Sequence, residues 1–306
     1  MTSAARLVAG LALAVGLLAG VAAGLGIFAR GDGNSVLVAS ARGEVYEMAT
    51  TGIYANNAVA LVAEGVGWDI FTLVVAVPAL CIGAWLTAKG SRRGTLFAAG
   101  MLGYFTYMYL EYSVTWAFGP LFPLFVAITA LSVVGLIVAA ALASEQAVRF
   151  SERFPRRSWA ALGIGMAVLL IVLWTERIVA GLTAGSMPSL LGETTMTVQA
   201  LDLGLVVPAS IIIALGALIR RPAGLAAAAA FAVTFVAMSA AIASMMISSW
   251  IATGTSQLPP IVVFALSAAA GLVVGGRIYA SAASIRPSHP SDHGAWPAHQ
   301  PTVAET

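Results

Sequence analysis

Runs of about 20 apolar residues follow one another along this chain, each separated from the next by a short polar stretch. This constrains the fold more than any other feature, because a helix of that length crosses the ~30 Å hydrocarbon core of a bilayer. Only 9% of residues are charged, against roughly 25% in a soluble domain, so ordinary domain counting from length does not apply. The expected class is an all-α integral membrane protein with about eight transmembrane helices. The net charge of +2 is no nucleic-acid signature. The single cysteine, Cys81, excludes an internal disulfide and any paired-cysteine redox centre, and reads as a small buried apolar residue.

In chain order, the first apolar run is 7–28. Its length favours a retained helix over a signal peptide, whose apolar core is typically ~7–15 residues, although Val21-Ala-Ala-Gly could offer a cleavage site. A long polar loop follows, with a short helix near 55–63. The next helices are placed at 69–88, 96–118 and 124–143, completing a first half over 1–143. A basic loop, 144–158, leads to a second half over 159–280, with helices at 159–182, 201–219, 223–247 and 261–279. Residues 281–306 are rich in Pro, His and Ser and read as a disordered tail.

Charge sets the orientation. With the N-terminus inside, the cytoplasmic side holds twelve of the fifteen basic residues, and only Arg30, Arg42 and Arg177 lie outside. Basic residues favour cytoplasmic loops, so N-in, C-in is expected. Most acidic residues, among them Glu64, Asp69, Glu111, Glu176 and Asp202, then fall in the outer half.

The chain also reads as duplicated. Asp69-Ile-Phe-Thr-Leu-Val-Val-Ala-Val-Pro78 compares with Ala200-Leu-Asp-Leu-Gly-Leu-Val-Val-Pro208. Each run leads to an arginine pair, Arg92-Arg93 and Arg220-Arg221. Four helices per half return the chain to its starting side, so the expected arrangement is two parallel four-helix repeats. Chance similarity between Ala-, Val- and Leu-rich helices is the alternative. These same runs, with the tyrosine-rich stretch Tyr104–Tyr112 ending at Phe118-Gly119, resemble a family of uncharacterised bacterial multi-pass membrane proteins. The resemblance spans roughly the second to sixth helices. It implies a bacterial plasma-membrane location and brings no activity. The chain departs from that family's tendency at Phe122-Pro123, where an Asn often precedes the next helix.

The candidate site centres on the third helix. Tyr104, Tyr107, Glu111 and Thr115 recur at steps of three and four, which puts them along one face. A carboxylate within an apolar span is costly and is a functional candidate by default. Glu111 would serve as a proton or cation site, with tyrosines as donors and as aromatic walls suited to an organic cation. The alternative is a structural hydrogen-bond network between helices. Arg177, beside Glu176, is the second candidate, free to pair with Glu111, Asp69 or Asp202, or simply to close a structural bridge at a solvated helix end. Asp69 and Asp202 read as ligand groups or as caps at helix starts. Pro78 and Pro208 kink their helices.

Absences narrow the chemistry. No lysine or histidine lies in a span, which excludes a retinal Schiff base and argues against histidine-ligated haem or metal. The tail histidines, His289, His293 and His299, make a weak metal site and read as solvated. There is no phosphate-binding glycine loop and no Gly-x-Ser-x-Gly elbow, so an enzyme is disfavoured and no cofactor or metal is expected. The expected function is transport or binding of a small solute or cation in an outward-facing polar cavity. The alternative is a membrane scaffold or subunit that docks a protein partner through its outer loops.

Overall fold

The computed structural model describes residues 2–183 and 189–282. The tail histidines and most of the expected disordered tail lie outside these residues. Eight long helices dominate the described residues: α1 (Ser3–Phe28), α2 (Val59–Ala88), α3 (Arg92–Thr115), α4 (Phe122–Glu145), α5 (Arg156–Thr183), α6 (Thr197–Leu218), α7 (Pro222–Thr253) and α8 (Leu258–Ser281). Seven of them, all but α3, are long and apolar enough to cross a membrane. The chain is therefore an all-α, multi-pass membrane protein.

These helices are apolar on every side, so what separates inside from outside is side-chain size. On α1 the buried stripe is Ala5, Val8, Ala12, Val15, Ala19 and Ala22, while Leu13, Leu17 and Phe28 are exposed. Small residues let backbones approach, and the large ones meet lipid.

Two features of the chain between α1 and α2 differ from the sequence reading. Ser35–Ala39 (β1) and Val45–Ala49 (β2) form an antiparallel hairpin within what reads as a polar loop. Helix α2 begins at Val59, ten residues before the predicted start, and absorbs the short helix expected near 55–63. Asp69 therefore lies inside a helix, not at its cap. Asp202 is likewise inside α6, which starts at Thr197. The glycines at 65 and 67 weaken the helical signal here, and tertiary packing overrides it.

Both α2 and α6 pass through one π-helical segment, Thr72–Ala76 and Asp202–Val206. The widened turns are closed by Val77 N–H donating to the Thr72 carbonyl and Val207 N–H donating to that of Asp202. In each case proline follows one residue beyond the segment, at 78 and 208 after Val77 and Val207. Proline lacks the N–H that would continue the α-ladder, and its ring clashes with the carbonyl four residues back. An inserted π turn accommodates both defects. Measured from these segments, Thr72 occupies the position of Asp202, and Asp69 that of Gln199.

In the first half, α1 packs on α2 and α4, and α3 packs between α2 and α4. Helix α7 then lies along α2 and α3, drawn in by two close approaches. At Gly67 a Cβ would stand 2.4 Å from the Ser244 carbonyl oxygen, and at Gly100 one would stand 2.3 Å from that of Ala230. Ser244 Oγ donates to the Gly67 carbonyl at 2.7 Å, and Thr234 Oγ1 donates to that of Gly100 at 2.7 Å. Helices α5 and α6 pair with each other. They meet the rest of the bundle around fully buried Trp159, whose ring contacts Phe231 and Phe235. This contact lies toward the basic end, which carries Lys89, Arg92, Arg93 and Arg220. The hairpin lies at the other end.

Candidate functional site

Because the α5–α6 pair stands off from α3 and α7, a crevice of about 1120 Å³ opens between them. On α3 its lining runs from Leu96 through Ala99, Gly103 and Tyr107 to Glu111 and Thr115, a stripe at steps of three and four. From Leu96 to Thr115 this is about 28 Å at 1.5 Å per residue. The polar groups gather toward the hairpin end. There Glu64 of α2, Glu111 of α3, Arg177 of α5, Asp202 of α6 and Glu193 of the α5–α6 connection all reach the cavity. Toward the basic end the walls are apolar, with Ala140, Ala226, Ala227 and Phe231 among them.

Glu111 is 3% exposed, and its Oε2 has no hydrogen-bond partner among the described residues. The nearby Thr106 and Thr115 hydroxyls are also unpartnered. A buried carboxylate oxygen without a donor is costly in a protein interior. Asp202, 9% exposed, differs: Tyr107 Oη donates to Oδ1, and Trp174 Nε1 donates to Oδ2 at 2.8 Å. That triad ties α6 to both α3 and α5. Arg177 donates to the Ser189 carbonyl and makes no ion pair among the described residues. Four carboxyl groups thus face one guanidinium, and the polar end of the crevice is acid-rich. Burial pushes the Glu193 carboxyl up to about 7, against the Thr197 hydrogen bonds and the Arg177 charge that favour its ionised form.

The hairpin covers this end. Glu44, in the β1–β2 turn, accepts from the Ser189 hydroxyl and from the amides of Leu190 (3.0 Å) and Leu191 (3.4 Å). These donors hold the Glu44 carboxyl below its ordinary range. Tyr46 packs against Gly192 so closely that a Cβ there would stand 2.5 Å from its ring.

Asp69 belongs to a separate, closed network. It is 1% exposed and accepts from Tyr54 Oη at 2.6 Å, with Tyr112 Oη at 3.5 Å. Gly26 of α1 packs directly on it. Tyr104 is fully buried away from the crevice, its hydroxyl 3.0 Å from Thr72 Oγ1. Of the residues singled out from sequence, Glu111, Tyr107, Arg177 and Asp202 meet at the crevice, whereas Asp69 and Tyr104 do not reach it. Glu176 points outward on an exposed face of α5.

Sequence reasoning missed Glu64, Glu193 and Trp174. Trp174 carried a usable signal, since it stands three residues before Arg177 on the same stripe. Glu64 was hidden by its assignment to a loop. Among the described residues no cluster of His, Cys, Asp and Glu suits a metal ion.

The helices and this crevice define the class: a multi-pass α-helical membrane protein with an acid-ended interhelical cavity. No protein-family model, curated protein or solved structure matches the chain.

Proposed function

We propose that this protein binds a cationic small solute in the crevice and carries it across the membrane, with Glu111 as its charge partner. One observation carries the reading: Glu111 is 3% exposed, lines the cavity and has an unpartnered Oε2. An ammonium group supplies both the positive charge and the N–H donors that this oxygen lacks. In the empty state a proton serves the same purpose, so exchange of proton for cation at Glu111 is a natural coupling. Asp202, held by Tyr107 and Trp174, fixes the wall opposite.

In this reading all eight helices span, α3 included, and both termini lie on the cytoplasmic side, where the twelve basic residues gather. The two halves descend from a duplication. That is supported by the matched π-segment and Val-Pro pairs and by the shared packing order, α1 on α2 and α3 on α4, α5 on α6 and α7 on α8. The second half has opened: α1 lies along α4, while its counterpart pair α5 and α8 touches only lightly.

Thermal unfolding of the purified protein with a panel of soluble amines tests the proposal. Wild type should be stabilised by at least one amine in a concentration-dependent way, and Glu111→Gln should lose that response. A response that survives in Glu111→Gln refutes the role of Glu111.

A second reading is a subunit that docks a partner through the hairpin. It is favoured by Leu37 and Val45, exposed by 75% and 65% on the hairpin. A stable complex that withstands Glu111→Gln but not Leu37→Asp would support it.

A further inference from the structure

The crevice is far larger than its acidic end. A small ammonium ion beside Glu111 leaves most of the cavity's 1120 Å³ unfilled. That volume slightly exceeds the ~300–1,000 Å³ typical of ligand pockets, and most of it is bounded by apolar side chains. Apolar walls of this extent favour an apolar occupant over water. The lining on α3 continues from Glu111 to Leu96 with two hydroxyls, that of Tyr107, committed to Asp202, and the unpartnered one of Thr106, and is apolar from Gly103 on. This stretch of lining is about 22 Å long at 1.5 Å per residue. It exceeds the ~15 Å of one leaflet's half of the hydrocarbon core. Its walls are Ala99, Ala226, Ala227 and Ala230 on one side and Met166 and Ile213 on the other. The small alanine side chains leave a channel in which a chain can lie.

We propose that the ligand is a long-chain amphiphile with a protonated amine headgroup. The head sits among Glu64, Glu111 and Asp202, and the chain runs along the alanine-lined channel toward the basic end. This rests on the cation-site reading above and narrows it to one substrate class. Charge and shape argue together. The acid-rich end selects a positive head over a phosphate or carboxylate, which four carboxyl groups would repel. Past the Thr106 hydroxyl the channel is lined mostly by alanine and other apolar side chains, which favours a chain over a second charged group. In the chain-bound state Glu64 and Glu111 share the ammonium, Arg177 stays on the Ser189 carbonyl, and Glu193 closes the acidic end.

The test uses the full chain in neutral-lipid nanodiscs with a hexadecylamine bearing a terminal photoreactive diazirine. Cross-linked residues are mapped by peptide mass spectrometry. The expected result is labelling at Leu96, Ala99, Ala227 or Phe231, suppressed by excess hexadecylamine but not by hexadecanol. Glu111→Gln should reduce it about tenfold. Ala227→Phe, with Ala209→Phe on the α6 wall of the crevice as a second blocking variant, should abolish labelling at the basic end. Both should keep the Glu111-dependent stabilisation by butylamine.

Labelling that hexadecanol suppresses equally, or that is unchanged in Glu111→Gln, overturns the headgroup assignment. Butylamine stabilisation without any crevice labelling overturns the amphiphile while leaving the cation site intact. Absence of both overturns the cation site as well.

Discussion

Asp69 looks from sequence like a ligand group, and its environment makes a different role measurable. Its carboxyl is 1% exposed and held by Tyr54 Oη at 2.6 Å, while Tyr112 Oη stands at 3.5 Å. The shorter contact is a well-formed O–H···O hydrogen bond, and the longer one lies at the limit of one. A hydrogen bond contributes ~0.5–1.5 kcal/mol net, and a buried acceptor left unpaired costs ~1–3 kcal/mol. Tyr54→Phe should therefore destabilise the protein by about 2–3 kcal/mol, and Tyr112→Phe, through this contact, by under ~1 kcal/mol. Tyr112 also packs on Trp68, Trp116 and Phe125, contacts that phenylalanine retains. A double-mutant cycle of Tyr54→Phe with Asp69→Ala should return a coupling of ~0.5–1.5 kcal/mol. Unfolding in mixed micelles at graded denaturing-detergent fraction gives the required free energies. Amine binding by Asp69→Asn, at temperatures where it is folded, should match wild type, because Asp69 does not reach the crevice. Equal costs for the two tyrosines, or loss of amine binding in Asp69→Asn, would refute the assignment of Asp69 to a closed structural node.

Further outcomes follow from neighbouring contacts. Gly26→Ala would place a Cβ 1.9 Å from Asp69 Oδ2 and should cost the ~1–3 kcal/mol of an overpacked core, read by the same unfolding assay. Glu44→Ala removes the acceptor of the Leu190 and Leu191 amides. Hydrogen exchange at those amides should rise about tenfold, the equivalent of ~1.4 kcal/mol, with the transmembrane helices unchanged. Glu193 has its folded pKa raised to about 7 from 4.5. Its folded state therefore binds the proton more tightly, so its contribution favours the folded protein below pH 4.5, declines as pH rises to 7 and is flat above. Unfolding curves across that window should show a shallower decline in Glu193→Gln than in wild type.

How much of this was legible in sequence depends on the distance over which each feature is decided. Gly67 shows the limit at short range. It reads as a loop residue because glycine disfavours helix, yet it lies inside α2, where its missing side chain admits the Ser244 carbonyl of α7. The preference of the local chain was overridden by a helix some 177 residues away. The hairpin was missed for a related reason, since its alternation is short and its turn residues look like those of any polar loop. The Tyr107–Glu111–Thr115 stripe was legible because helical spacing alone puts those residues on one face. Tyr104 shares that spacing but sits where the stripe turns away from the crevice and onto Thr72.

The sequence by itself determined the class of the protein and the order of its long apolar helices. It also determined the gathering of basic residues at one end and the two helix interruptions before Pro78 and Pro208. These are local consequences of chain chemistry: backbone groups in hydrocarbon must be satisfied within the segment, and a proline breaks the same hydrogen bond wherever it stands. The tertiary structure alone decided which carboxyl groups face one another. A helix that is apolar on all sides carries little record of which face turns inward, and neighbouring residues point about 100° apart around its axis. Asp69 and Asp202 look alike in sequence, each an acidic residue upstream of a Val-Pro pair, although they stand nine and six residues before the proline. Packing turned one toward Tyr54 in a closed bundle, and the other onto the wall of an open crevice.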